Sequence, residues 1–219
     1  MIQNTFVDNQ GNKSTFTYIP QFLSPVQCFM YQVCIYLFVK FSPVFTYNAK
    51  VIRHQKWYHK QMEYFNNKWP IYDRWKAHQY PLFLYFIEKK IKTQILQTTR
   101  ESVNINSCLI NKYSQKNHRL YYHRDCEDVF GVCPVIASLS LGTSAEVHIR
   151  HCDKSSQNMH SGLLFTLEPG SLLIMSDYSQ VNYHHAIIMT HDDTRHSLVF
   201  REHNNNTFGG TMSIPNQLT

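Results

Sequence analysis

From about Val103 onward the chain breaks into eight short apolar segments with turn signals between them: 106–113, 119–125, 134–142, 145–151, 162–167, 171–176, 183–188 and 195–201. None is long enough for a stable helix. Each has the length of a strand bounded by Gly, Pro, Asn, Asp or Ser, and Glu168-Pro169-Gly170 is a clear turn before Ser171–Met175. Eight such segments in succession predict an all-β sandwich or barrel over this half of the chain.

The first half reads differently. Residues 1–20 suit a short strand or arm. Ser24-Pro25 is an N-cap with proline at the first helical position, and Val26, Phe29, Met30, Val33, Ile35, Leu37 and Phe38 give a mostly helical apolar pattern to about Val39. Residues 44–75 hold no helical period. They interleave Arg53, Trp57, Tyr58, Tyr64, Phe65, Trp69, Tyr72 and Trp75 with basic residues, as strand and loop. Pro81 opens a second helix carrying Leu82, Tyr85, Phe86 and Ile91 to Leu96, with charges expected toward its C-terminal end, where the helix dipole favours cations. The tail from Asn204 is expected to be disordered.

At 219 residues, 43% hydrophobic and 16% charged, the chain suits one globular domain, here residues 1–203. A net charge of +6 fits a polyanionic partner but does not demand one. Six cysteines occur with no C-x-x-C pair and no zinc-finger spacing, which points to free thiols in a reducing compartment. No basic-then-apolar leader opens the sequence, and the stretch Val33–Val39 is too short to span a bilayer. An intracellular setting, in cytoplasm or nucleus, follows as an expectation, with no membrane attachment and no sign of an obligate oligomer.

Two constellations bear chemistry. His123-Arg124-Asp125 places an imidazole and a carboxylate on one face if the segment is a strand. A later histidine would complete a two-His-one-carboxylate facial triad, which holds iron(II) and leaves positions open for other ligands. A loop with solvated His and Asp would show the same three residues. Arg195-His-Ser-Leu-Val-Phe-Arg201 puts Arg195, Ser197, Val199 and Arg201 on one face of a strand and His196, Leu198 and Phe200 on the other. The first face suits a dicarboxylate; an edge strand with two solvated arginines is the plainer alternative. Asn111 and Tyr113 likewise share a face and offer amide and phenol hydrogen bonds.

Taken in order, Cys108-Leu-Ile-Asn-Lys-Tyr113, His123-Arg-Asp-Cys-Glu127, Pro134-Val-Ile-Ala-Ser-Leu-Ser-Leu-Gly142, Arg150-His151, Pro169–Met175 with Tyr183-His-His185, and Arg195–Arg201 resemble the AlkB-like iron(II)- and 2-oxoglutarate-dependent dioxygenases, in particular their nucleic-acid demethylase branch. The resemblance covers about residues 104–203; earlier residues match only through Phe22-Leu-Ser-Pro25 and Arg53…Trp57-Tyr58. It implies an α+β, mainly β fold: a double-stranded β-helix, or jelly roll, at 104–203 with N-terminal helices packed on it and a substrate-recognition segment at 44–75. It also implies that His123, Asp125 and His185 bind iron(II), with His184 competing for the third place, and that Asn111, Tyr113, Arg195, Ser197 and Arg201 hold 2-oxoglutarate. Glu127 would lie beside the target base and Arg150 on the pocket wall. Trp57, Tyr58 and Glu127 are candidates to clamp the base, and Arg53, Lys56, Lys60 and Lys68 to meet phosphates; core packing under the jelly roll is the equal alternative for the aromatics at 57–75. Ser197 stands where the family usually has Asn, Tyr183 where Trp is common, and Cys126 separates Asp125 from Glu127. The implied reaction is oxidative dealkylation of N-alkylated bases in DNA or RNA using dioxygen. An oxygenase acting on protein or a small molecule, or a non-catalytic nucleic-acid-binding module on the same scaffold, are the competing readings.

Overall fold

The structure is a computed structural model that describes residues 1–41, 53–66, 75–125, 127–153 and 162–204. The elements run β1 (Ile2–Val7), β2 (Lys13–Ile19), α1 (Pro25–Phe38), β3 (His54–His59), α2 (Leu82–Thr99), β4 (Ser107–Tyr113), β5 (Arg119–His123), α3 (Glu127–Phe130), β6 (Ile136–Gly142), β7 (Ala145–His151), β8 (Leu163–Leu167), β9 (Leu172–Asp177), α4 (Ser179–Asn182), β10 (Tyr183–Met189) and β11 (Arg195–Arg201). All eight short apolar segments are strands.

The strands form two antiparallel sheets. A major sheet runs β1-β2-β9-β6-β11-β4-β3 and a minor one β5-β10-β7-β8. One core lies between the sheets, built from Phe16, Tyr113, Val147, Ile149, Phe165, Leu173, Met175 and Ile187. A second lies between the major sheet and the helices, with Ile35, Ile87, Ile91 and Ile95 against Leu139, Leu198 and Phe200. The major sheet is therefore covered on both faces, and its central strands read as near-continuous apolar runs. β6 and β9 are buried along nearly their whole length. The minor sheet has one solvated face, so β7 alternates between buried and part-exposed or exposed residues. Complete burial of Leu198 and Phe200 contributes about 1.5–3 kcal/mol each.

α1 begins as expected. Ser24 Oγ accepts from the Gln27 amide at 3.3 Å and Gln27 Oε1 accepts from the Ser24 amide at 3.1 Å, a complete capping box. Its apolar residues correct the expectation. Cys28 and Ile35 are buried, whereas Val26, Phe29, Met30, Leu37 and Phe38 face outward. α2 buries Phe83, Leu84, Ile87, Ile91 and Ile95 rather than Leu82, Tyr85 and Phe86. It also runs on to Thr99, so Lys89, Lys90 and Lys92 fall in its middle and none reaches the last turn. Lys90 Nζ instead donates to the Phe22 carbonyl at 2.8 Å and Gln27 Oε1 at 3.1 Å, tying α2 to the start of α1. Trp69, Tyr72, Lys68, Cys126 and the tail 205–219 lie outside the described residues. No helix among the described residues is long and apolar enough to cross a membrane.

Candidate active site

Strand pairing assembles the site. β10 pairs with β5 so that His185 stands opposite His123. Their rings lie 4.2 Å apart between centroids. β5 ends at His123, and Asp125 follows in the turn before α3, so the turn and not strand alternation brings the carboxylate in. Asp125 Oδ1 is 3.9 Å from His123 Nε2, and the donor atoms of His123, Asp125 and His185 all lie within 4.8 Å of one another. The Asp125 amide donates to Gln180 Oε1 at 3.0 Å, which fixes the turn, and Arg201 Nη1 donates to the Asp125 carboxylate. His184 is excluded by parity. It pairs with Arg150 on the outer face of the minor sheet, while His185 pairs with Ile149 on the inner face.

The protonation states suit a metal. Burial holds His123 below its ordinary pKa, and burial with the nearby His123 and Arg201 holds His185 well below it. Both rings are neutral at pH 7. His123 Nδ1 faces the Tyr121 carbonyl at 2.8 Å, so the proton sits on Nδ1 and Nε2 keeps its lone pair toward Asp125. His185 Nδ1 is buried with no hydrogen-bond partner.

His59, Glu63 and His203 also bring their donor atoms within 4.8 Å of one another. Their hydrogen bonds argue against a metal. His59 Nδ1 accepts from the amides of Gln61 and Glu63, both at 3.2 Å, so the neutral ring carries its proton on Nε2, the nitrogen that would have to ligate. Burial pushes this imidazole down to about 4, which keeps it neutral at pH 7. The group is a polar network of two buried histidines and a part-exposed Glu63 beside Trp57 and Phe130.

The anion site lies on β11, a central strand rather than an edge. Register places Arg195 opposite Tyr113 and Gly142, and Ser197 opposite Asn111 and Ser140. Arg195 is fully buried. Its Nη2 donates to Ser140 Oγ at 2.9 Å and its guanidinium lies 5.4 Å from the centre of the Tyr113 ring, but Nε and Nη1 are buried with no partner. A buried cation with two unused donors calls for an anionic acceptor, and a carboxylate matches that fork. Asn111 Oδ1 accepts from Gln55 Nε2 at 2.9 Å and Arg53 Nε at 3.3 Å, which leaves its amide NH2 to donate elsewhere. Ser197 Oγ pairs with Ser138 Oγ at 3.2 Å. The residues present thus fit both a divalent metal and a dicarboxylate.

Several expected substrate residues sit elsewhere. Trp57 is wholly buried, its Nε1 donating to the Glu63 carbonyl at 3.0 Å, and Tyr58 is buried against the helix-side core. β3 packs on both faces, so neither ring can clamp a base. Arg53 turns inward to Asn111 and does not meet a phosphate. Lys60 Nζ bonds Glu88 at 2.7 Å and the Ile105 carbonyl at 2.8 Å, and Lys56 Nζ bonds the Lys40 carbonyl at 3.0 Å. Arg150 is on the outer face of the minor sheet, 3.6 Å over the Tyr122 ring, not on the wall of a pocket beside His185. Glu127 is exposed at the start of α3, next to the turn that carries Asp125. Sequence reasoning does not find Gln55, Ser140, Gln180 or the Tyr121 carbonyl. Ser140 lies inside the Pro134–Gly142 motif and could have been singled out; Gln180 and a backbone carbonyl leave no sequence signal.

The model of the 2OG-Fe(II) oxygenase superfamily matches residues 15–208. The chain is 31% identical over 114 residues to alpha-ketoglutarate-dependent dioxygenase alkB homolog 3 of Bos taurus, covering 50% of this chain and 37% of that protein. It is 29% identical over 103 residues to the Homo sapiens protein of the same name, covering 45% of this chain and 35% of that one. It thus spans about a third of the length of the curated relatives it matches. The solved structure of OsALKBH1 superposes with a TM-score of 0.61 at 16% identity, covering 85% of this chain and 97% of that one. A 2OG-Fe(II) oxygenase family oxidoreductase from Burkholderia pseudomallei gives 0.60 at 10% identity, covering 85% and 84%. At these identities the two structures speak for the fold alone.

Proposed function

This chain belongs to the 2OG-Fe(II) oxygenase superfamily, and from that premise we propose that it removes alkyl groups from N-alkylated bases in DNA or RNA. The observation that carries the oxygenase chemistry is the pairing of a two-His-one-carboxylate set, its imidazoles neutral, with a fully buried arginine that has two unused donors. The nucleic-acid reading rests on the H-x-D-x-E resemblance with Glu127 beside Asp125, on the net charge of +6, and on the relatives named alkB homolog 3.

When bound, iron(II) with 2-oxoglutarate and dioxygen supplies oxidation of a carbon–hydrogen bond with loss of succinate and carbon dioxide, and on an N-alkyl carbon that oxidation ends in release of the group as aldehyde. His123, Asp125 and His185 would hold the metal as its three protein ligands, a set that leaves positions for the cosubstrate and dioxygen. Arg195 would bind a carboxylate of 2-oxoglutarate, with its guanidinium over the Tyr113 ring and Ser140 Oγ accepting from Nη2 to orient it. Arg201 clamps the Asp125 carboxylate, and Gln55 with Arg53 orients Asn111. The base must leave its stack to reach this depth, because His185 is 8% exposed. Glu127, exposed at the start of α3, would meet a base that alkylation has made cationic. The free thiols Cys28, Cys34, Cys108, Cys133 and Cys152 support a reducing, intracellular setting.

The test is incubation with iron(II), 2-oxoglutarate and ascorbate on oligonucleotides carrying 1-methyladenine or 3-methylcytosine, as DNA and RNA, single and double stranded. Mass spectrometry reads loss of the methyl group, with His123→Ala and Arg201→Ala as controls. Methyl loss by the wild type alone is the expected result. Succinate without methyl loss on any strand would move the substrate to protein or a small molecule, and no succinate would leave a non-catalytic scaffold.

A further inference from the structure

β5 is the edge strand of the minor sheet, and its pairing slips beside the metal site. His123 stands opposite His185, but Leu120 stands opposite Ile187, so Tyr121 and Tyr122 together oppose Ala186 alone. This is a β-bulge, and bulges at sheet edges re-aim side chains. Leu120 packs into the inter-sheet core and His123 faces the metal site, while Tyr121 is 64% and Tyr122 37% exposed. Each exposed ring carries an arginine: Arg119 lies 4.9 Å over Tyr121, and Arg150 3.6 Å over Tyr122. Arg124, also exposed, anchors to the Val181 carbonyl at 3.0 Å, and His184 sits within the fields of Arg124 and Arg150. Glu146 on the same outer face is engaged by His148 at 2.9 Å. Two solvent-facing aromatics with three exposed guanidiniums thus line the strand that ends in a metal ligand.

We infer that this bulged edge is the docking platform for a single-stranded nucleic acid, a reading that rests on the proposed function and names where the strand binds. Sequence-tolerant single-strand sites combine cationic groups that follow phosphates with aromatic rings on which bases stack. The edge of β5 supplies both, on the outer side of the strand that ends at His123. A duplex keeps its bases stacked on one another and offers the rings no base face, so the platform discriminates against it. An acidic polypeptide would meet the arginines but would not need the tyrosine rings.

Fluorescence anisotropy of labelled, unmodified single-stranded DNA, single-stranded RNA and duplex tests this with Mn(II)-loaded protein and 2-oxoglutarate. Single strands bind more tightly than duplex, and the Tyr121→Ala/Tyr122→Ala pair loses about tenfold or more in affinity, as expected for the loss of base–aromatic stacking. Tyr121→Phe/Tyr122→Phe restores binding. Should the alanine pair not fold, Arg119→Gln/Arg150→Gln is read instead by the salt dependence of binding, whose slope falls by about one for each phosphate no longer neutralised. Wild-type affinity in the alanine pair, an unchanged salt slope, or tighter binding of duplex overturns the platform. If the wild type binds no nucleic acid at all, the proposed function falls and the platform with it. If the wild type demethylates a strand and the alanine pair does so equally at subsaturating strand, the platform alone falls.

Discussion

Replacing Arg195 with methionine separates two effects that a buried arginine usually mixes. In the free protein Arg195 is fully buried with one side-chain hydrogen bond, to Ser140, and two donors without partners. A buried guanidinium so poorly compensated gives little net stability, and exchanging it for an apolar chain of similar length is neutral or stabilising by about 1–4 kcal/mol in comparable buried ion sites. With the cosubstrate bound the balance reverses. The carboxylate completes the fork, and removing one partner of such a pair costs about 3–5 kcal/mol. Arg195→Met therefore melts at the wild-type temperature or above it without ligand, yet binds 2-oxoglutarate about a hundredfold to a few thousandfold more weakly, at about 1.4 kcal/mol per tenfold. Calorimetric titration of 2-oxoglutarate into Mn(II)-loaded protein, with thermal melts of the ligand-free forms, measures both. Affinity within a few fold of the wild type would refute the assignment of Arg195 to the cosubstrate. A large loss of stability without ligand would show that the guanidinium is a structural partner instead.

Metal titration is expected to give one tight site, abolished by His185→Ala and retained by His184→Ala and His203→Ala; loss of metal in His203→Ala would contradict the tautomer argument at His59. Acid sensitivity follows from burial. His59 and His196 are held at about 4 in the folded chain, against about 6.5 unfolded, so the unfolded chain binds more protons between those values. Stability is therefore full above about pH 6.5 and falls toward pH 4, by on the order of 3 kcal/mol for each group, and a denaturation midpoint that does not move between about pH 7 and pH 5 would contradict it. Gly142 has φ +90° and a Cβ there would lie 2.2 Å from the Thr194 carbonyl oxygen, so Gly142→Ala costs at least about 1–3 kcal/mol and displaces the start of β11, read as a lower midpoint and weaker 2-oxoglutarate binding.

Much of this molecule was legible in its sequence, for identifiable reasons. The eight strands showed because β4, β6, β9 and β11 lie in a sheet covered on both faces and read as short apolar runs, the minor-sheet strands carry apolar residues on their inner face, and turn residues separate them all. The candidate anion-site residues meet because each set shares one face of its strand, and the β11–β4 register brings Arg195 opposite Tyr113 and Ser197 opposite Asn111. Packing direction stayed hidden. Trp57 and Tyr58 sit on opposite faces of β3, and both faces are covered by the core, which composition cannot distinguish from an exposed aromatic surface. Arg150 belongs to the outer face because of its register with His184, a fact of strand pairing. The bulge that exposes Tyr121 and Tyr122 is likewise a property of two strands together.

If one site couples 2-oxoglutarate turnover to oxidation of an alkylated base, the substrate controls the turnover. Succinate formation should be measured with a methylated single strand, with the same strand unmethylated, and with neither. The methylated strand alone is expected to raise the rate, with one succinate formed for each methyl group removed, and Asp125→Ala to remove the response. A rate indifferent to the methyl group would contradict it.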